Sequence, residues 1–256
     1  MSAMATQKGR RRVLDSRPRV TFLGVVGELL MTAGVIVMAY LGWQVWLNPV
    51  IQGNAQSNQA QVLAQNWSKG EAAAPAPVER PDPGPPPVVA APDNAAQFGV
   101  MIIPRMGADY ARPIAQGVGL DDVLAYGVGH YPETQMPGEV GNAAFAAHRT
   151  GHGDPFFDID KLRVGDSIYI EMEVGWYRYA VRSLEYVPAT GVEVLLPVPQ
   201  SPSASATDRL ITLTSCNPIH TSDERIIVYG VYDTWYPRAG GPPPEIAALV
   251  QARAGG

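Results

Sequence analysis

The chain has 256 residues, enough for one domain with extensions or two small ones. Its net charge of -5 conceals a basic head and an acidic body: six basic residues and one acid precede residue 20, and thirteen basic against twenty-two acidic residues follow the apolar segment. A body this acidic excludes a nucleic-acid binder, which needs a cationic face to displace counterions from phosphate.

Residues 1–19 hold the basic cluster and read as a cytoplasmic tail. From Leu29 to Leu47 the chain carries no charge, and Val20 to Gly27 is mostly apolar too, with Glu28 between them. About 20 helical residues cross a hydrocarbon layer of roughly 30 Å, so residues 20–48 are expected to form one transmembrane helix. Tyr40, Trp43 and Trp46 lie near its C-terminal end, where amphipathic rings favour the interface. With basic residues on the N-terminal side, the tail is placed in the cytoplasm and the body outside, as a single-pass plasma-membrane protein. The segment exceeds a signal-peptide core, and Gly53-Asn54-Ala55 is a poor cleavage site, so the anchor is read as uncleaved.

Residues 49–97 read as an extracytoplasmic spacer. Its first part is polar, with a short helix over about 54–70, and residues 72–96 are Pro/Ala-rich. Such a stretch forms no core and behaves as a semi-rigid extended linker. From Phe98 the pattern changes. Strands are predicted at Gly99–Pro104, Asn142–Ala147, Asp166–Glu173, Trp176–Tyr186, Arg209–Thr214 and Arg225–Tyr232 from alternation and branched or aromatic content. Within Asp166–Glu173, Ile168, Ile170 and Met172 share one face. Only Leu120–Tyr126 and Phe156–Leu162 look helical. Many strands and few helices predict a mainly β domain over 98–238, closed as a barrel or stacked as a sandwich. Residues 239–256 are Gly/Pro-rich and read as a flexible tail, with a loose helix over 245–253.

Cys216 is the one cysteine, so no internal disulfide is possible, and in an extracellular domain a lone thiol is a liability. A lone Cys is often a small buried apolar residue. Here it follows a predicted strand directly and precedes Asn217-Pro218, a junction open to substrate, and the Thr214 and Ser215 hydroxyls beside it can hold a substrate backbone. A reactive thiolate needs a basic partner. His148 follows the small-residue strand and leads into Arg149-Thr150-Gly151. His130 is its rival, and His220 is too near Cys216 in a loop to be placed. His148 and His152 have a metal-like spacing on a helix, but Gly151 and Gly153 disfavour the helix and no Glu follows His148, so no metal site and no cofactor are expected. Attack on a peptide carbonyl puts negative charge on oxygen, which a fixed cation stabilises. Arg225 opens the next strand and can supply it; equally, it can be a surface residue paired with Asp223 or Glu224.

Thr212-Leu213-Thr214-Ser215-Cys216 with a downstream Arg resembles the sortase signature TLxTC…R. Gly141 to Arg149, then Phe156-Phe157, Leu162 and Gly165-Asp166, resemble that family's catalytic-His region. Gly27-Glu28-Leu29-Leu30, Gly129-His130-Tyr131 and Pro137-Gly138-Glu139 are similar to class E sortases of actinobacteria. The resemblance covers the anchor and most of residues 98–235. It implies an eight-stranded sortase β-barrel with Cys216, His148 and Arg225 as catalytic residues, and with Thr214, Ser215, His130 and Tyr131 in substrate contact. Ser215 departs from the usual Thr. The implied activity is transpeptidation: cleavage of a sorting signal (LPxTG-like, LAxTG for class E) between Thr and Gly, with transfer to a peptidoglycan precursor amine. Partners are then sorting-signal-bearing proteins, that amine and the membrane. Two other readings fit less well. An L,D-transpeptidase also pairs Cys with His, but its SHGC-type motif is missing, and a non-catalytic anchored β-domain would leave Cys216 inert.

Overall fold

The computed structural model describes residues 21–68 and 84–255. The basic tail and the first half of the Pro-rich stretch lie outside them. The chain divides into two units, one ending at Val45 and the other beginning at Trp46.

The first unit contains helix α1, Phe22–Gly42. Thr21 caps it, its hydroxyl accepting from the Gly24 N–H, which satisfies one of the unpaired donors of the first turn. None of its side chains is buried. The helix that includes it is long and apolar enough to cross a membrane, which fits a transmembrane anchor. A π-helical turn over Trp43–Leu47 follows.

In the second unit, eight strands close into a barrel: β1 (Gln97–Ile102), β2 (Ala111–Gln116), β3 (Val128–His130), β4 (Gly141–Ala146), β5 (Ser167–Met172), β6 (Gly175–Pro188), β7 (Arg209–Asn217) and β8 (Glu224–Pro237). Their order around the barrel is β1-β2-β3-β4-β7-β8-β6-β5, and β5 pairs back to β1. The β2–β3 and β4–β7 pairs are parallel and the rest antiparallel. The interior is filled by alternate residues, among them Phe145, Ile168, Ile170, Tyr179, Leu213 and Val228. Each such side chain contributes about 1.5–3 kcal/mol when taken out of water. The face predicted for Ile168, Ile170 and Met172 is the inward one.

Six of the eight strands lie where alternation puts them. β2 and β3 were not anticipated: β2 reads Ala-Arg-Pro-Ile-Ala-Gln and carries a proline, and β3 has three residues. Alternation is uninformative over such lengths. The helices expected at Leu120–Tyr126 and Phe156–Leu162 shrink to a π turn (Leu120–Leu124) and a 3-10 turn (Ile159–Lys161).

Outside the barrel the structure is fuller than the sequence suggests. The start of the expected spacer is helix α2, Asn48–Ser68, whose buried residues Gly53, Gln56, Ala60 and Ala64 form one helical stripe. The end of the spacer runs along the barrel: the Pro87 carbonyl accepts from the Tyr177 hydroxyl and the Gly84 carbonyl from the Trp235 indole. The C-terminal segment expected to be flexible includes helix α3, Ala247–Gly255. A second apolar cluster joins Ala60 of α2, Val100, Ile102, Tyr169 and Trp176 of the barrel, and Leu249 and Val250 of α3. Beside it, fully buried Glu171 pairs with both Arg238 and Arg253, each at 3.3 Å. Arg253 also donates to the Ala60 carbonyl of α2.

Candidate active site

Strand register sets two of the predicted residues, Cys216 and Arg225, opposite each other. On β7, Ile211 and Leu213 point into the barrel, so Thr212, Thr214 and Cys216 face outward. Cys216 is a free, half-buried thiol. Across the antiparallel β7–β8 ladder its partner is Arg225, and directly opposed residues share a face with Cβ atoms about 4.5–5.5 Å apart. On the other side, parallel pairing aligns Ala144 with Thr212 and Ala146 with Thr214. Ala143, Phe145 and Ala147 point inward. His148 lies two residues past the end of β4. The three residues thus come from neighbouring segments at one end of β4, β7 and β8. The sequence reading put the thiol after a strand; it lies within β7, one residue before its end.

His148 is half-buried, and its Nε2 is a buried atom with no hydrogen-bond partner. Its ring stacks on His152, with centroids 4.8 Å apart and 24° between planes. Burial is the main cause that pushes its pKa below the ordinary 6.5; the His152 charge adds to this, and the Asp154 carboxylate opposes it. The Phe156 N–H holds the His148 carbonyl at 3.0 Å. Next to it, Arg149 is 4% exposed and reaches Asn217, the neighbour of Cys216, at 2.6 Å and Asp160 at 3.1 Å. This bond ties the histidine segment to the cysteine strand. Sequence spacing gave no sign of it, because 68 residues separate the two.

Arg225 is half-buried. Its Nη1 donates to the carbonyls of Ser222 and Glu224, both at 2.9 Å. Those contacts are to backbone, not to the Asp223 or Glu224 carboxylates considered from sequence. The Glu224 carboxylate instead accepts from Asn217 Nδ2 at 3.1 Å. The Asn217–Pro218 peptide that begins the connecting loop is cis.

The residues expected to touch substrate fare differently. His130 is 0% exposed in the structure. Its ring nitrogens lie 2.9 Å from Gln116 Oε1 and 2.9 Å from the Gln135 carbonyl, and it packs against Phe98 and Phe145. Burial lowers its pKa. It is a core residue, and neither substrate contact nor proton transfer from Cys216 fits that place. Ser215 is also buried, and its hydroxyl donates to the Ala147 carbonyl at 2.9 Å, pinning β7 to the residue before His148. Thr214 is buried, with its hydroxyl 3.1 Å from that of Tyr131 and 3.3 Å from the Phe145 carbonyl. Both hydroxyls therefore brace the strands and are not open to a peptide. Tyr131 stays half-exposed on the outer face. Among the described residues no cluster of three metal-ligating side chains occurs. A cleft of about 290 Å³ lies beside this site, lined by α2 and by the loop from Gly153 to Asp158, without Cys216.

Comparison with known proteins bears on family and fold. Residues 101–233 match the family model of the sortase domain. Sortase SrtE1 of Streptomyces coelicolor is 34% identical over 251 residues, covering 94% of this chain and 66% of that protein. Among solved structures, the SrtA sortase from Actinomyces oris has a TM-score of 0.61 at 37% identity, covering 64% of this chain and 94% of that one. Sortase E1 from Streptomyces coelicolor, solved with a tripeptide in its active site, has a TM-score of 0.56 at 37% identity, covering 62% and 99%.

Proposed function

The chain belongs to the sortase family of cysteine transpeptidases, in its class E, and we propose that it cleaves an LAxTG-type sorting signal between Thr and Gly and passes the acyl group to a cell-wall amine. Cys216 is the nucleophile, His148 the proton carrier and Arg225 the cation at the oxyanion. The observation that supports this reading is the Cys216–Arg225 pair across the β7–β8 ladder, with His148 two residues past the end of β4, the strand on the other side of β7. The unpartnered His148 Nε2 supports it, since a proton carrier must keep a lone pair or proton for its substrate.

In the first step the Cys216 thiolate attacks the Thr carbonyl carbon. The carbonyl pair moves to oxygen, where the Arg225 charge and a backbone N–H stabilise it. Collapse breaks the C–N bond, and protonated His148 gives its proton to the departing Gly amine. In the second step the acceptor amine attacks the thioester, the C–S bond breaks, thiolate returns, and His148 takes the surplus proton. The apolar α1 and the basic residues before it support an anchored enzyme with its barrel outside the cell, where signal-bearing proteins and a lipid-linked peptidoglycan precursor meet.

The test is transpeptidation of an LAxTG peptide with hydroxylamine as acceptor. Cys216→Ala is expected to lose all turnover and the acyl-enzyme detectable by mass spectrometry. Arg225→Ala should lose on the order of 10²–10³ in kcat, as for removal of an oxyanion donor. Full turnover by Cys216→Ala would refute the assignment.

A further inference from the structure

We propose that α2 is part of the catalytic apparatus, with Gln56 and His152 as positioning residues that hold the His148 imidazole in place. This rests on the reading of His148 as the proton carrier. Three contacts connect the helix to the ring. Gln56, buried in the α2 stripe, donates from Nε2 to the His152 carbonyl at 2.6 Å. Gly53 meets Gly153 so closely that a Cβ on Gly153 would stand 2.8 Å from the Gly53 nitrogen. The His152 ring then lies against that of His148.

The loop needs such a support. Gly151, His152, Gly153 and Asp154 have φ values of +79°, +52°, +79° and +50°. His152 and Asp154 thus occupy the left-handed region without being glycine, a strained conformation for a residue with a Cβ. Conformations of this kind persist where the surroundings over-determine them. Here α2 does so from one side, and the Tyr110 hydroxyl, bonded to the Pro155 carbonyl at 2.8 Å, does so from the other. The helix is itself registered on β2: Ser57 accepts from Arg112 Nη1 at 2.8 Å. Without the Gln56 bond and the glycine contact, His152 relaxes toward ordinary φ, its ring leaves His148, and the imidazole loses one wall of its pocket.

The experiment uses the full chain in detergent. Gln56→Ala, His152→Ala, His152→Phe and, as an exposed control on the same helix, Gln59→Ala are compared with wild type and His148→Ala. Peptide transpeptidation and the alkylation rate of Cys216 are both measured, with thermal unfolding to exclude misfolding. Gln56→Ala and His152→Ala should each lower kcat about tenfold or more with KM within about twofold, since sub-ångström misplacement of a reacting group is costly. The double variant should be no worse than either single, because both act along one line of contact. His152→Phe keeps a flat ring and should recover most of the rate; a purely structural role would not distinguish it from Ala. Unchanged kcat in Gln56→Ala, additive losses, or His152→Phe as poor as His152→Ala would overturn the proposal. If wild type turns over no peptide, the transpeptidase reading fails, and the alkylation series still decides this one: rates falling with Gln56→Ala and His152→Ala toward that of His148→Ala sustain it, and unchanged rates end it.

Discussion

His130 shows how a sequence can name the right residue type and the wrong duty. It stands in a segment that resembles class E sortases, yet both ring nitrogens are held inside the barrel by Gln116 and Gln135. His130→Ala is therefore expected to destabilise the fold, by about 1–3 kcal/mol for each buried partner left unsatisfied. The kcat of the protein that remains folded should stay near wild type, as urea unfolding and active-site titration would check. For His148 the pH behaviour follows from its neighbours. Asp154 is the group that favours its charged form, against burial and His152. Asp154→Asn should move the imidazole pKa further down, measured from its ring-proton NMR shift; an upward move would contradict this account. Cys216 and Arg225 stand where the sequence suggests, at facing ends of β7 and β8, and His148 just past the end of β4. Arg149 was not legible, because its bond to Asn217 crosses 68 residues and depends on a parallel pairing that spacing cannot disclose. The Ser215 hydroxyl was misread for a related reason: its partner, the Ala147 carbonyl, is backbone.

At the scale of elements, alternation located the strands that are long and half-apolar and missed β2 and β3, which are neither. It also could not reveal α2 as part of the folded body. A polar helix with a narrow stripe of Gly and Ala looks like a linker unless its partner surface is known. The consequence is practical. A soluble fragment begun near residue 95 removes α2, exposes the second apolar cluster, and strips Arg253 of its Ala60 partner. Such a fragment should unfold at lower temperature and turn over peptide more slowly than one begun near residue 46. Equal melting points and rates would show that the helix is dispensable. The Glu171–Arg238–Arg253 group explains why the C-terminal segment folds at all. A fully buried carboxylate needs its cations, and one of them comes from α3.

For the molecule as a whole, hydropathy patterning separated the apolar helix from the β-rich body. It could not tell where the extensions meet the barrel, since those contacts join residues distant in sequence. The titration of the body follows from its buried groups. His130 and His148 both have folded-state pKa values below the ordinary 6.5, so the unfolded chain binds protons that the folded one refuses. Stability should be complete above about pH 7 and fall as pH drops through 6.5. The raised Asp154 carboxyl acts in the opposite sense, above its ordinary 3.8. Two histidines against one carboxyl should leave the urea midpoint higher at pH 7.5 than at pH 5.5, and a midpoint that rises on acidification would be inconsistent with these burials.

Closure of the sheet also limits how a peptide can be held. A ring of strands has no first or last member, and where short β3 leaves β4 uncovered, the Gln135 and Tyr131 amides bond its carbonyls while the Thr134 and Gln135 side chains take its amides. A visiting chain therefore finds no vacant ladder to extend along β4. Beside β4 it must be gripped by side chains and loops, so selectivity there resides in a guest's residues and not in the hydrogen bonding common to every polypeptide.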